Sequence, residues 1–344
     1  MVPALSVADA LRAEGARVVF IGGERAERTL VPEAGYELRT ISVEGLSRTN
    51  PLKAARGALK AAAALRASLR ILRELKPDAV MGGGGYVAGT VGAAAVLRRI
   101  PLVLTEADSH LGLANRLLAG RARRVCLAFP IEGREGDRYL VAGRPVPAPV
   151  TDRAAARERF GIGPEETVVL VFGGSLGARS INLAAVEGLR DGPFRVLHAS
   201  GRRDYEQLRE LLGDPPPAGY DLHAYITPFG DALAAADLAV ARSGGSIFEL
   251  AAHGVPAILV PYPHAAADHQ TANALWMVDA GAAVLVPDAE LTPQRLRAEV
   301  DALLSDRARL AEMAAASKRL ARPDAAQVIA REVLAAAGAK EAGR

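Results

Sequence analysis

Cysteine is almost missing from this 344-residue sequence, in which Cys126 stands alone. One thiol cannot close an internal disulfide, and no cysteine and histidine cluster at ligand spacing accompanies it, so neither a disulfide framework nor a structural zinc site is expected. A reducing, cytoplasmic setting fits. Aromatic residues make up only 4% of the chain, which removes the stacking platforms that single-stranded nucleic acid requires. No uncharged apolar run approaches the roughly 18 residues of a membrane span, and no basic start with an apolar core opens the chain as a secretory leader would. Acidic residues are scarce in one place. Between Lys53 and Lys76 lie seven basic residues (Lys53, Arg56, Lys60, Arg66, Arg70, Arg73 and Lys76) and a single acid, Glu74.

What the sequence does have is a repeated pattern: a short apolar run, ending in glycine or a small polar residue, and then a helical segment. "RVVFIGG", "DAVMGGGG", "PLVLTEAD" and "RVCLAFP" precede residue 131, and "TVVLVFGGS", "FRVLHASG", "LAVARSGGS" and "AILVPYPH" follow residue 166. Runs apolar on both faces that alternate with helices mark buried parallel strands. The fold class is therefore α/β, with two doubly wound sheets. Before the first run, Val2 to Ala13 reads as an amphipathic helix with Pro3 in its first turn. "VAGRPVPAPVTD", residues 141–152, carries three prolines within five residues and no period, and is expected to link two domains near Pro147. Towards the end, Thr292 and Pro293 start one helix. A final helix is expected from the cap Asp324 to the stop Gly338, with a frayed tail after it.

Several strand ends could hold an anion or a sugar. "FGGSLGARSIN" (172–182) places Gly174 and Ser175 where backbone N–H groups converge ahead of a helix; a plain capped turn is the alternative. "ARSGGSIFELAAHGVP" (241–256) repeats the design with Gly244, Gly245 and Ser246. There Glu249 could accept hydrogen bonds from a ribose or merely complement the helix dipole. "VPYPHAAADHQTANALWM" (260–277) sets His269 and Gln270 at a helix start capped by Asp268, and the Gln270 amide can both donate to and accept from sugar hydroxyls. In the first half, "VMGGGGYVAG" and "LTEADSHLGLAN" form the matching edge, and Glu106 is the best-placed general base there, with a helix-capping role as the alternative. His110 is a second candidate. The basic segment aligns Leu65, Leu69 and Leu72 on one side and Arg66, Arg70 and Arg73 on another, a pattern suited to anionic lipid headgroups or to a solvated face.

Together and in this order the motifs resemble the bacterial MurG family of glycosyltransferases (glycosyltransferase family 28). The resemblance runs over nearly the whole chain, through "VPALSVADAL", "GGYVAGTVGAAA", "GLANRLLA", "LAFP", "FGGSLGARSIN", "YITPFGDALAAADLAVARSGG", "ELAAHGVPAILVPYPHAAADHQTANA" and "GAAVLVPDAELTPQRL". It implies a GT-B fold of two Rossmann-like domains facing across a cleft. Residues 1–147 would form the acceptor and membrane-side domain, 148–321 the donor domain, and 322–344 a helix returning to the first domain. It implies inverting transfer of GlcNAc from UDP-GlcNAc to lipid I, with no tightly bound metal or cofactor. The implied place is the cytoplasmic side of the cell membrane, peripherally bound through anionic inner-leaflet lipids, with other cell-wall synthesis proteins as partners and no nucleic acid. A GT-B enzyme with another lipid acceptor, and a sugar-nucleotide binder without turnover, are the alternatives.

By the same implication Ser175 holds the donor diphosphate with Gly174, Gly245 and Ser246, the Ile226 backbone reads uracil, Glu249 binds ribose, and Gln270 with His269 meets the GlcNAc hydroxyls. Gly83, Gly84, Tyr86, Asp108 and Asn115 are expected on the acceptor side. The sequence departs from the family at three places. The usual "HEQN" is Thr105-Glu106-Ala107-Asp108, the usual "NPVR" is "RPVP" with Arg144 as an uncertain substitute for the donor-side arginine, and the stretch from Arg242 to Glu249 is one residue short. The family also carries a strand and a "GGTGGH" loop before its "VPALSVA" helix, so Met1 is expected to be an internal methionine of a longer native chain.

Overall fold

The computed structural model describes residues 1–24, 27–41, 51–174, 177–265 and 268–341, the side chains of 51–59 and 339–341 excepted. The chain divides into two units, Met1–Val146 with Arg322–Arg344, and Pro147–Ala321. Both are Rossmann-like arrangements of parallel strands and helices.

The second unit is built on one parallel sheet of six strands. In chain order these are β7 (Val168–Phe172), β8 (Arg195–Ala199), β9 (Tyr220–His223), β10 (Leu238–Ala241), β11 (Ala257–Leu259) and β12 (Ala283–Leu285). Every residue of β7, β10 and β11 is buried, which is why these stretches read as unbroken apolar runs rather than alternating ones. The spatial order is β12-β11-β10-β7-β8-β9. The chain therefore builds outward from β7 in one direction, returns, and builds outward from β10 in the other. That reversal between β7 and β10 is the topological switch point, where diverging connections open a crevice at the carboxyl ends of the strands.

Helix α7 (Arg179–Leu189) follows β7 and packs on α12 (Pro293–Ser305). Thr292 starts α12 as read, its Oγ1 accepting the Arg295 N–H at 3.1 Å. The two helices approach closely at Gly188, where an added Cβ would collide with the Pro293 carbonyl. Gly188→Ala is accordingly expected to lower Tm by about 3–6 °C, an overpacking cost of ~1–3 kcal/mol partly offset by the better helix propensity of alanine. Gly338→Ala is the control, since nothing lies within 4 Å of its Cβ position. A Tm unchanged by Gly188→Ala would show that the helices yield.

In the first unit the parallel sheet comes in two parts. β1 (Val19–Gly22) pairs with β2 (Glu37–Thr40), while β3 (Val80–Gly82), β4 (Leu102–Glu106), β5 (Arg124–Leu127) and β6 (Tyr139–Val141) form a four-stranded sheet in that order. The expected opening helix is α1, Val2–Ala13. It buries Val7 and Leu11 against Ile329 and Val333 of α14 (Ala325–Glu341), over Val103 and Cys126 of the sheet. The final helix thus runs through Gly338 instead of stopping there; that glycine is solvent-exposed, and the cost of about 1 kcal/mol is outweighed by its alanine-rich neighbours. The basic segment is helix α3 (Pro51–Leu75), packed on α4 (Gly85–Leu97). Gly89 and Gly92 of α4 admit α5 (Leu113–Leu118): a Cβ at Gly92 would fall 2.6 Å from Leu118 Cδ1, and one at Gly89 3.2 Å from Ala114 Cβ.

Candidate active site

At the switch point the β7 exit is fixed by steric need. A Cβ at Gly173 would strike the Ala178 backbone, and one at Gly177, where φ is +75°, would strike the Ser200 carbonyl at the exit of β8. Gly174 also has positive φ (+86°), with open space beside it. Only glycine satisfies both constraints at Gly177. Helix α7 begins at Ala178 without a side-chain cap, so its first-turn N–H groups are presented to whatever occupies the crevice. Ser175 lies outside the described residues.

The β10 exit, Arg242 to Ser246, leads into α10 (Ile247–His253), again without a side-chain cap at Ser246. It is tied to α11 (His269–Asp279) by polar bonds. Ser243 Oγ donates to the Gln270 carbonyl at 2.7 Å, and Asn273 Nδ2 donates to the Ser243 carbonyl at 3.1 Å. Gln270 Oε1 accepts the Tyr262 N–H at 2.9 Å, which leaves its NH2 facing Gly244, 3.9 Å from that residue's Cβ position. Gly244, Gly245, Ser246 and Gln270 are thereby brought together, and His269 is the half-buried first residue of α11. Asp268 departs from the cap expected of it. It sits in the left-handed region (φ +51°), makes no side-chain cap bond, and accepts instead from the Thr271 hydroxyl at 2.7 Å. Glu249 lies in the first turn of α10, and its carbonyl accepts from His253 Nδ1 at 2.9 Å. The other ring nitrogen, Nε2, accepts the Val150 N–H at 3.1 Å. A ring that must accept there stays neutral, and burial moves the His253 pKa down in the same sense. Ile226 is buried in the segment after β9.

A buried polar chain under the β7 exit was not read from the sequence. The Tyr220 hydroxyl donates to His198 Nδ1 at 2.9 Å and His198 Nε2 donates to Asn182 Oδ1 at 3.1 Å. Asn182 Nδ2 then donates to the Ser200 carbonyl at 2.9 Å and to Asp204 Oδ2 at 3.0 Å. Each donor in this chain dictates the next acceptor, so the histidine tautomer is set by its neighbours. The signal was present as a histidine inside the apolar run "FRVLHASG". Beyond Asp204, its partners Arg203 and Arg179 lie at 3.1 and 3.5 Å.

At the first unit's edge Glu106 is held in a network of donors. Glu106 is 8% exposed, and all four acceptor positions of its carboxylate are used. Oε1 takes the N–H groups of Ala107 (3.0 Å) and Asp108 (3.3 Å), and Oε2 takes the Gly112 N–H (2.8 Å) and Asn115 Nδ2 (2.9 Å). A carboxylate so engaged anchors the loop into α5, the role read for Glu106 beside that of a base. Asn115 is equally committed: it is buried, and Nδ2 also donates to the Thr105 carbonyl at 2.9 Å. It supports this edge from beneath and does not face an acceptor. Gly83 and Gly84 form the turn above it, Gly84 with φ +80° and its Cβ position 3.6 Å from Asn115 Nδ2. Tyr86 is exposed on the first turn of α4. Asp108 is half-buried, and its carboxylate accepts no hydrogen bond among the described residues. Arg144 is half-buried in the first unit, where burial and then its charge lower the pKa of the Met1 ammonium. Among the described residues no three histidine, cysteine, aspartate or glutamate side chains converge to hold a metal.

The model of the glycosyltransferase family 28 C-terminal domain matches residues 168–329, and that of the family's N-terminal domain matches residues 1–127. The chain belongs to glycosyltransferase family 28. A relative from Moorella thermoacetica is 40% identical over 350 residues, covering 96% of this chain and 94% of its own length. One from Alkalilimnicola ehrlichii is 43% identical over 340 residues, covering 96% and 93%. Both are named UDP-N-acetylglucosamine--N-acetylmuramyl-(pentapeptide) pyrophosphoryl-undecaprenol N-acetylglucosamine transferase. The crystal structure of Acinetobacter baumannii MurG aligns with a TM-score of 0.81 at 30% identity, covering 97% of this chain and 95% of that one. A glycosyltransferase of kitacinnamycin shares the fold at 21% identity and a TM-score of 0.69. The family 28 fold is thus the GT-B pair of Rossmann-like units expected from the resemblance.

Proposed function

We infer that this chain is a hexosyltransferase that moves GlcNAc from UDP-GlcNAc to lipid I, undecaprenyl-pyrophosphoryl-MurNAc-pentapeptide, producing lipid II for peptidoglycan. The observation that carries this reading is identity of 40% over 96% of the chain to a relative named for that transfer. The second unit's crevice is the donor site. The uncapped starts of α7 and α10, with Gly174, Ser175, Gly245 and Ser246, receive the diphosphate; Ile226 reads uracil through its backbone and Glu249 binds the ribose. Gln270 offers its NH2 to the GlcNAc hydroxyls, beside His269. In the reaction the acceptor hydroxyl attacks the anomeric carbon from the face opposite UDP. The bond to the diphosphate oxygen breaks as the new glycosidic bond forms, inverting the centre, and negative charge gathers on UDP, where backbone N–H groups stabilise it.

The acceptor proton needs a base. With Glu106 occupied, we assign that role to Asp108, whose backbone N–H is held by Glu106 Oε1 while its own carboxylate stays available. Gly83, Gly84 and Tyr86 border the same edge. The family resemblance supports a peripheral position for the enzyme at the cytoplasmic face of the membrane; no helix among the described residues is long and apolar enough to cross a membrane. Helix α3 turns Lys60, Arg66, Arg70 and Arg73 outward and keeps Leu72 buried, and Lys76, just past its end, is exposed too. The side chains of Lys53 and Arg56 lie outside the described residues. On α5 Leu113 and Leu117 are exposed, Leu117 by 71%. Exposed bases on one helix and exposed leucines on another suit a bilayer surface rich in anionic lipid.

The test is UDP release from UDP-GlcNAc and a lipid I analogue in vesicles, zwitterionic or containing phosphatidylglycerol. UDP release that depends on the acceptor, with a disaccharide product, is the expected result. Faster transfer in the anionic vesicles supports the membrane contact, and equal rates would remove it. No release in either removes the assignment of activity.

A further inference from the structure

We propose that Arg242 is a positioning residue that holds the sugar end of the donor site in register. The inference rests on the reading of the second unit as the UDP-GlcNAc site. Arg242 immediately follows β10, and its side chain is only 11% exposed. Nη1 donates to the carbonyls of Val260 (3.1 Å) and Pro261 (2.9 Å) at the exit of β11, and pairs with Asp288 Oδ1 at 2.5 Å beyond β12. Nη2 donates to Ser180 Oγ at 2.8 Å in the first turn of α7, and the Ser180 hydroxyl donates in turn to the same Asp288 oxygen at 2.7 Å. The guanidinium carbon lies 5.6 Å from the centre of the Tyr262 ring.

Arg242 at the β10 exit thus meets partners at the exits of β7, β11 and β12, the four being neighbouring strands of the sheet. One planar group therefore ties together every segment that borders the switch point on that side. Its reach extends to a ligand-facing side chain: Arg242 fixes Pro261 and Tyr262, and the Tyr262 N–H fixes Gln270 Oε1. The Gln270 NH2 is thereby held beside Gly244. The nucleoside end does not depend on this clasp. Ile226 follows β9, at the opposite end of the sheet, and α10, which carries Glu249, is seated by its own buried residues Ile247, Phe248, Leu250 and Ala251. Lysine cannot replace the clasp, because a single ammonium cannot present a planar fork to carbonyls, a hydroxyl and a carboxylate at once.

The experiment compares the full chain with Arg242→Lys, Arg242→Ala and Ser180→Ala, measuring Tm and titrating UMP, UDP and UDP-GlcNAc calorimetrically. Loss of position at the sugar end predicts a graded effect: UMP affinity within about twofold of the parent and UDP-GlcNAc affinity about tenfold weaker in both Arg242 variants, the size of one lost ligand hydrogen bond. Ser180→Ala, which removes one arm, should fall between and keeps the test usable if Arg242→Ala does not fold. A side chain that only stabilises the fold would lower Tm and leave the three ligands in their parental ratio, which overturns the proposal, as does unchanged UDP-GlcNAc binding. A parent chain that binds no UDP-GlcNAc rejects the donor-site reading itself, and that outcome is distinct from parental binding retained in the variants.

Discussion

Replacing Asp108 by asparagine is expected to lower kcat for transfer by about 10²- to 10⁴-fold, the usual span for removal of a general base. Tm and UDP-GlcNAc affinity should hold, because its carboxylate accepts no hydrogen bond among the described residues. Glu106→Gln is expected to behave in the opposite way. Glutamine preserves shape but turns one oxygen into an NH2, and both oxygens of Glu106 face donors, two on each. A donor set against donors in a buried place costs on the order of 1–3 kcal/mol or more. Glu106→Gln should therefore lower Tm by several degrees, with activity falling as the loop carrying Asp108 loosens. Thermal melts and transfer kinetics on both variants decide the matter. Full kcat in Asp108→Asn, or a kcat loss in Glu106→Gln without a change in Tm, would return the base role to Glu106.

Acid is the second stress with a large expected effect. Complete burial pushes the pKa of His198 down to about 3, and the ring is neutral in the fold, accepting from Tyr220 and donating to Asn182. The unfolded chain takes up a proton on this residue near pH 6.5. Between about pH 6.5 and 3 the unfolded state thus binds one more proton than the folded state at this position. Stability is complete above 6.5 and declines as pH falls, by about 1.4 kcal/mol per pH unit once well below 6.5. His223 and His253 are shifted down by burial and add to the same trend. Carboxylates held low by arginine and asparagine partners, such as Asp204, contribute their own loss at lower pH. Denaturant unfolding from pH 7.5 to 4 measures the slope. In His198→Gln the slope should be shallower by about one proton, whatever the absolute stability; an unchanged slope would mean that His198 is protonated in the fold.

Much of the architecture was legible because buried parallel strands write themselves as apolar runs. All eight quoted runs contain a strand, from Val19–Gly22 to Ala257–Leu259. The four strands without a quoted run are β2, β6, β9 and β12, each at the edge of its sheet. Glu37 to Thr40 shows why: with one neighbour and little covering, this strand is mostly exposed and polar, so no apolar run announces it. Val141 ends β6 inside the stretch read as linker for the same reason. The site was legible in outline, since a glycine loop before a helix is a local event. Its wiring was not. That Glu106 receives a donor from Asn115, nine residues on, or that Arg242 meets Asp288, 46 residues away, depends on which loops the sheet brings together. Asn115 shows the limit well: as a letter it is a polar residue near a candidate edge, and only the packing of α5 turns it inward.

The two units also differ in the order in which a ribosome could deliver them. Residues 147–321 form an uninterrupted stretch of chain, so the second unit has all its strands as soon as that stretch emerges. The first unit begins earlier and finishes last, because Val7, Leu11, Val103 and Cys126 are covered by Ile329, Ala330, Val333 and Ala336. For the whole time the second unit is being synthesised, that apolar seam has no native cover. The half of the molecule made first is thus the half that waits longest, with a sticky surface open to chaperones or to other nascent chains.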